Sequence, residues 1–176
     1  KRLGTTCVHL EETHELVRLL RDLLEWRCPD ALLISETNVP HAENLSYLRD
    51  GKQAHLAYNF TLAPLLIHAL ITGSSERIAP WLRESEQPPE GTTFLNFLAS
   101  HDGIGVRPVE DLLDESEIET LIAATERANG TWTGHTTPER IRPYEFNVAP
   151  ASLFGLDRLL TGHTVLASLQ GVPAFY

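Results

Sequence analysis

Two acidic residues in this chain stand where chemistry is commonly done. Glu36 follows the apolar run Ala31-Leu32-Leu33-Ile34-Ser35, and Asp102 follows His101 at the end of Thr92-Thr93-Phe94-Leu95-Asn96-Phe97-Leu98. Paired carboxylates at neighbouring strand ends are what glycosidic bond cleavage requires: one protonates the leaving oxygen, the other stabilises or attacks the sugar cation. Glu36 has the place of the proton donor, because partial desolvation behind an apolar strand would raise its pKa and keep a proton available near neutral pH. A strand-end Glu fits equally a helix cap or an ion pair with Arg. Asp102, beside Gly103, can orient sugar hydroxyls and meet developing positive charge, or can be a turn residue bonded to its own backbone.

Other combinations carry less. Cys7, His9 and His14 contain no Cys-x-x-Cys pair, and His9 and His14 are five apart, off the i, i+4 spacing of ligands on one helix face. No metal site is expected. Ser35 and Ser100 lack a Gly-x-Ser-x-Gly elbow. Gly103-Ile104-Gly105-Val106-Arg107-Pro108 lacks the third glycine of a dinucleotide fingerprint. Arg107 in that loop can hold an anion such as phosphate through its guanidinium fork, and a surface loop with one Arg fits the residues as well.

The elements that must position these groups alternate. Apolar residues at helical spacing predict a helix over about 12–26, stopped by Cys28-Pro29. The run at 31–35 reads as a strand buried on both faces, as in a parallel sheet covered by helices. A loop or broken helix over 37–48 leads to a strand at 54–60, a helix from 62 to 70 ended by Gly73, and a short turn or helix at 78–82. The third strand is 92–98. Asp114 and Ser116, with Glu117 and Glu119 three residues on, predict a helix start, and Asn129-Gly130 its end. Residues 131–147 read as a polar, Gly- and Pro-punctuated loop. A helix over 153–169, interrupted near Gly162, precedes a fourth strand from Gly171. Repeated strand, helix, strand order argues for right-handed βαβ units and a parallel sheet, hence the α/β class. Glu36 and His101-Asp102 at strand ends favour a TIM-type barrel over a doubly wound sheet.

Composition narrows the partners. The 176 residues carry 24 Asp and Glu against 14 Lys and Arg, a formal net charge of −10, which disfavours a sequence-independent hold on nucleic acid. With 42% hydrophobic and 22% charged residues the chain is in the globular range. No apolar run approaches the roughly 20 residues of a membrane span. Two cysteines fit free thiols in a reducing compartment, so a cytoplasmic enzyme acting on neutral or polar small molecules is expected.

Three ordered motifs then resemble the α-amylase superfamily, glycoside hydrolase family 13, in its sucrose phosphorylase-like branch. Ile34-Ser35-Glu36-Thr37-Asn38 resembles the fifth barrel strand with its acid/base Glu, Phe97-Leu98-Ala99-Ser100-His101-Asp102-Gly103 the seventh with its His-Asp pair, and Gly171-Val172-Pro173-Ala174-Phe175-Tyr176 the eighth. Branch-level similarity adds Gly4-Thr5-Thr6-Cys7, Ala54-His55-Leu56-Ala57-Tyr58-Asn59-Phe60 and the stretch from His101 to Pro108. The resemblance implies that residues 1–176 are a partial catalytic barrel, strands five to eight of a TIM (β/α)8 barrel. Strands one to four, the nucleophilic Asp of strand four and the C-terminal all-β domain have no counterpart here. It implies Glu36 as acid/base, Asp102 as transition-state stabiliser and His101 as a sugar-hydroxyl ligand. Arg107, with the loop 131–147, is the candidate for recognising phosphate or an anionic acceptor. The activity implied is retaining transfer of an α-glucosyl group from sucrose or a related glucoside to inorganic phosphate, without a cofactor. The chain alone is expected to be inactive and to pair with itself through exposed barrel edges.

Overall fold

The computed structural model describes residues 3–5, 7–137 and 140–176; of the motif Gly4-Thr5-Thr6-Cys7, Thr6 lies outside them. Helix α1 (Glu11–Arg27) precedes strand β1 (Ile34–Ser35). A short helix α2 (His41–Leu45) and a 3-10 turn (Ser46–Gly51) lead to β2 (Leu56–Tyr58), then α3 (Leu62–Thr72), α4 (Ile78–Glu84) and β3 (Thr93–Asn96). After β4 (Ile104–Gly105) and a 3-10 turn (Arg107–Val109) come α5 (Glu115–Arg127), β5 (Thr131–Thr136), β6 (Ile141–Asn147), α6 (Pro150–Ser168) and β7 (Val172–Pro173).

β1, β2, β3 and β7 form one parallel sheet in chain order, with Ile34 opposite Leu56, Leu56 opposite Thr93, and Leu95 opposite Val172. A doubly wound sheet reverses its order at a switch point, whereas a barrel adds each strand beside the last. The unreversed order here is that of a barrel segment. Its main core packs Leu62, Leu65, Leu66 and Ile67 of α3 against Leu121 of α5, Leu166 of α6 and Leu98. α3 is apolar on nearly every side and buried through its first two turns, and it ends on Gly73 in the left-handed conformation, where a side chain would be strained. Gly162 lies inside α6 against Leu70 and Leu98; the break in α6 is at Gly155, whose φ is 76°. The expected interruption is therefore about two turns earlier than its predicted place, and Gly162 is small for packing.

Two expectations change. β1 spans two residues, and Leu32 and Ile34 are exposed, because β1 pairs with β2 on one side and, among the described residues, with no strand on the other. The run at 31–35 is an edge here, not a strand covered on both faces. Residues 131–147 are not a loop: β5 and β6 form a hairpin that pairs antiparallel with β4 in the order β4-β6-β5. Gly134 and Pro143, which read as punctuation, lie opposite each other just past a register shift between Thr133 and Gly134, the kind of irregularity where a strand accepts Pro.

α1 forms as predicted, yet its burial is inverted. His14 and Arg21 are buried, while Leu16, Leu19, Leu20 and Leu23 are exposed. The inward face is tied by polar bonds: His14 Nδ1 meets Gln53 Oε1 at 2.8 Å, Gln53 donates to the Ser46 carbonyl, and Arg21 donates to the Gln53 carbonyl.

α5 starts as its sequence requires. Asp114 and Glu117 form a capping box, and Arg77 bridges both carboxylates at 3.1 and 2.8 Å. His68 of α3 lies 3.7 Å from Glu117. Burial pushes the His68 imidazole below its ordinary range, with Glu117 pulling the other way. A lowered folded-state pKa means that the unfolded chain takes the proton more readily. The stability owed to neutral His68 is thus complete above its ordinary value of 6.5 and is lost as pH falls through the lower folded value. Thermal unfolding midpoints should fall as the pH drops below 6.5, and His68→Gln should flatten that slope; an unchanged slope would mean that His68 is not the group responsible.

Candidate active site

The site is built where the parallel strands end. β1 delivers Glu36 directly. The chain leaving β3 runs through buried Phe97 and Leu98 into a tight turn in which Ser100 and Gly103 exchange backbone hydrogen bonds, and this turn presents His101 and Asp102. The Asp102 amide also donates to Ser100 Oγ at 3.3 Å. One polar atom each from Glu36, His101 and Asp102 lie within 4.8 Å of one another, and His101 Nε2 is 3.5 Å from Asp102 Oδ1. The structure thus brings three of the four predicted site residues together. All three are exposed, so the burial expected behind Glu36 is not seen: among the described residues β1 is an edge, with β2 as its one neighbouring strand. The trio is also compact enough to ligate a cation, an arrangement that exposed acidic groups often adopt with none bound.

The hairpin holds this turn from one side. Asn147 donates its side-chain amide to the Asp102 carbonyl at 2.9 Å. Gly103 has φ of 112°, and a Cβ there would stand 2.3 Å from the Phe146 carbonyl oxygen. Only glycine permits both the backbone angle and the approach.

Between Phe146 and Tyr144, Glu145 joins the cluster. Burial raises its carboxyl above the usual range, and the Asp102 and Glu36 carboxylates push it further, with His101 opposing. A carboxyl of this kind holds its proton to higher pH than an ordinary one and can donate a hydrogen bond. Sequence reasoning missed Glu145 because 131–147 was read as a loop; the alternation Tyr144-Glu145-Phe146 is the signal that could have placed it on a strand.

Arg107, the fourth predicted residue, stands on the turn that follows β4. It opens the 3-10 turn two residues past Gly105 and is half-buried; its carbonyl accepts the Glu110 amide at 3.3 Å, and among the described residues its guanidinium makes no hydrogen bond or ion pair. A concavity of about 360 Å³ between α5 and the hairpin, lined by Glu110, Glu115, Ile118, Arg142 and Pro143, is separate from the carboxylates. Several of its charges are engaged: Glu110 meets His135 at 2.8 Å and Arg142 at 3.6 Å, and Glu115 meets Arg140. No helix among the described residues is long and apolar enough to cross a membrane.

No family model matches the chain. Two curated relatives align along its whole length: a glucosylglycerate phosphorylase of Escherichia coli, 38% identical over 187 residues, and one of Allomeiothermus silvanus, 40% identical over 188. Each alignment takes up 34% of the relative, so this chain spans about a third of their length. Among solved structures, the sucrose 6F-phosphate phosphorylase of Thermoanaerobacter thermosaccharolyticum superposes with a TM-score of 0.83 over 98% of this chain and 35% of its own, at 19% identity, a likeness of fold. The strand order, the strand-end carboxylates and these whole-length matches agree, and the chain belongs to the α-amylase superfamily, glycoside hydrolase family 13, in its sucrose phosphorylase-like branch.

Proposed function

We propose that this chain supplies the acid/base side of a retaining α-glucosyl phosphorylase, acting in the cytoplasm, with glucosylglycerate or sucrose as the donor class. The observation that carries this reading is the convergence of Glu36, His101 and Asp102 at the ends of two parallel strands. Glucosylglycerate is favoured because the relatives aligned along the whole chain are phosphorylases of that glucoside. Two cysteines in 176 residues are too few for a disulfide framework, which fits a reducing compartment.

In the first step Glu36 gives its proton to the glycosidic oxygen as the C1–O bond breaks and the glucosyl group passes to a carboxylate nucleophile. The glycerate or fructose hydroxyl leaves. In the second step a phosphate oxygen attacks C1, its proton passes to Glu36, the glucosyl-carboxylate bond breaks, and α-glucose 1-phosphate forms. Asp102 faces the sugar cation in both transition states, and His101 holds a sugar hydroxyl. Family members draw the nucleophile from the strand before these, and none of the 176 residues matches that motif, so the chain alone is inactive.

The test is consumption of glucosylglycerate and of sucrose, with glucose 1-phosphate and glucose measured as products, with and without phosphate, by this chain alone and by a complete barrel carrying it. Phosphate-dependent release by the barrel only is expected. Equal turnover without phosphate would make it a hydrolase or transglucosidase, and turnover by the chain alone would overturn the missing nucleophile. Arg107→Ala in the barrel should raise the KM for phosphate; an unchanged phosphate dependence removes Arg107 from that role.

A second, noncatalytic reading has its own observation: both sheet edges and the α1 stripe of Leu16, Leu19, Leu20 and Leu23 are uncovered. An apolar strand edge pairs with another chain when nothing blocks it. Sedimentation of the chain should show a dimer, and a monomer at high concentration would remove this reading.

A further inference from the structure

We infer that Asn38 is a positioning residue, whose side-chain amide, seated on the bare backbone of Gly105, clamps the Glu36 loop to β6 and so keeps Glu36 beside Asp102 and Glu145. The inference rests on the reading that this carboxylate cluster is the reaction centre.

Asn38 follows Glu36 by two residues and is buried, at 9% exposure. Its Nδ2 donates to the Tyr144 carbonyl at 3.4 Å, a carbonyl that already accepts the Val106 amide at 3.0 Å. Turning the amide over would set two oxygens against each other, so the donor side faces Tyr144. The opposite atom, Oδ1, is buried and has no hydrogen-bond partner. A buried amide left half satisfied costs stability, which makes it a poor choice for packing alone.

Gly105 supplies the second half of the clamp. A Cβ there would fall 2.6 Å from Asn38 Oδ1 and 2.8 Å from both its Cγ and Nδ2, overlapping the whole amide. Its φ lies outside the left-handed region, so backbone freedom does not call for glycine at this position; the contact with Asn38 does. Gly105 is also the residue paired with Glu145 in the β4-β6 register. One amide thus touches the strand opposite Glu145 while sitting two residues from Glu36. The clamp on Asp102 is separate, through Asn147 and Phe146, so losing Asn38 should free Glu36 and leave the His101-Asp102 turn in place.

Glu145 reports on this geometry without any turnover, because the groups that face it are Asp102, Glu36 and His101. The experiment is a carboxyl-carbon NMR titration of Glu145 in the 176-residue chain, for the parent and for Asn38→Ala, Gly105→Ala, the double variant and Glu36→Gln, with thermal unfolding of each. Asn38→Ala is expected to lower the Glu145 midpoint by about half a pH unit as Glu36 moves off. Gly105→Ala, which displaces the amide without removing it, should do the same, and the double variant should match Asn38→Ala alone, the non-additivity of two changes that act through one contact. If Asn38→Ala does not fold, Asn38→Ser is titrated in its place with the same expectation. A Glu145 midpoint that moves in Glu36→Gln but not in the Asn38 variants overturns the clamp and leaves the cluster standing. A midpoint unmoved by Glu36→Gln overturns the cluster, and the clamp with it.

Discussion

Glu36→Gln in a complete barrel carrying this chain is expected to lower turnover of an unactivated glucoside by about 10²- to 10⁴-fold, the usual worth of a positioned proton donor. Gln keeps the size and one acceptor of the side chain but has no proton to give, so substrate binding should change little and the loss should fall on kcat. The chemistry also predicts how the loss depends on the leaving group. A glucosyl donor whose leaving group departs without protonation bypasses the first-step role, so its glucosylation should recover while phosphorolysis stays slow at the second step, where phosphate still needs a base. Pre-steady-state release of the leaving group from glucosylglycerate and from an activated aryl or fluoride donor decides the matter. Equal losses on both would mean that Glu36 acts by charge and position rather than by proton transfer.

Phe97→Ala is expected to cost about 3–5 kcal/mol of folding stability, the range for deleting a fully buried aromatic ring. Phe97 is 1% exposed and packs edge-on against Phe60 and Tyr58, with ring centroids at 5.3 Å in each pair. It also stands four residues ahead of His101, on the segment that carries the His101-Asp102 turn, so a cavity there loosens that turn as well as the core. Denaturant unfolding measures the first effect. Phe97→Leu, which keeps much of the volume, should recover most of the stability. A cost below about 1 kcal/mol for Phe97→Ala would show that the site collapses around the gap.

Much of this organisation was legible in the sequence, and the gaps have particular causes. The helix start at Asp114 was visible because a capping box is local chemistry within four residues. Glu36 and His101-Asp102 were visible because each follows a β-rich run, and a parallel sheet sends all such ends to one face. Parallel alternation left two architectures open, and only the unreversed strand order separates them. The hairpin was missed because Gly134 and Pro143 normally end strands, and their juxtaposition at a register shift is set by pairing that no local window contains. Glu145 was lost with it. The burial of β1 was misread for a related reason: an apolar run records the cover that a strand is suited to, whereas its exposure depends on which neighbours stand beside it. Glu36 inherits that exposure.

The bond between Asn38 and the Tyr144 carbonyl joins residues 106 apart in sequence, which bears on when the site comes into being as the chain folds. Closing a loop of that length precedes any gain from the contact, and contacts of large sequence separation slow folding. The packing of α3 against α5 and the capping box of α5 rest on nearer partners and can form first. Synthesis adds its own order, because Glu36 emerges about a hundred residues before the hairpin that must hold it. The three carboxyl groups therefore come together late, after β6 has docked, and an intermediate with a native-like α3-α5 core should show a Glu145 that still titrates as a solvated carboxyl.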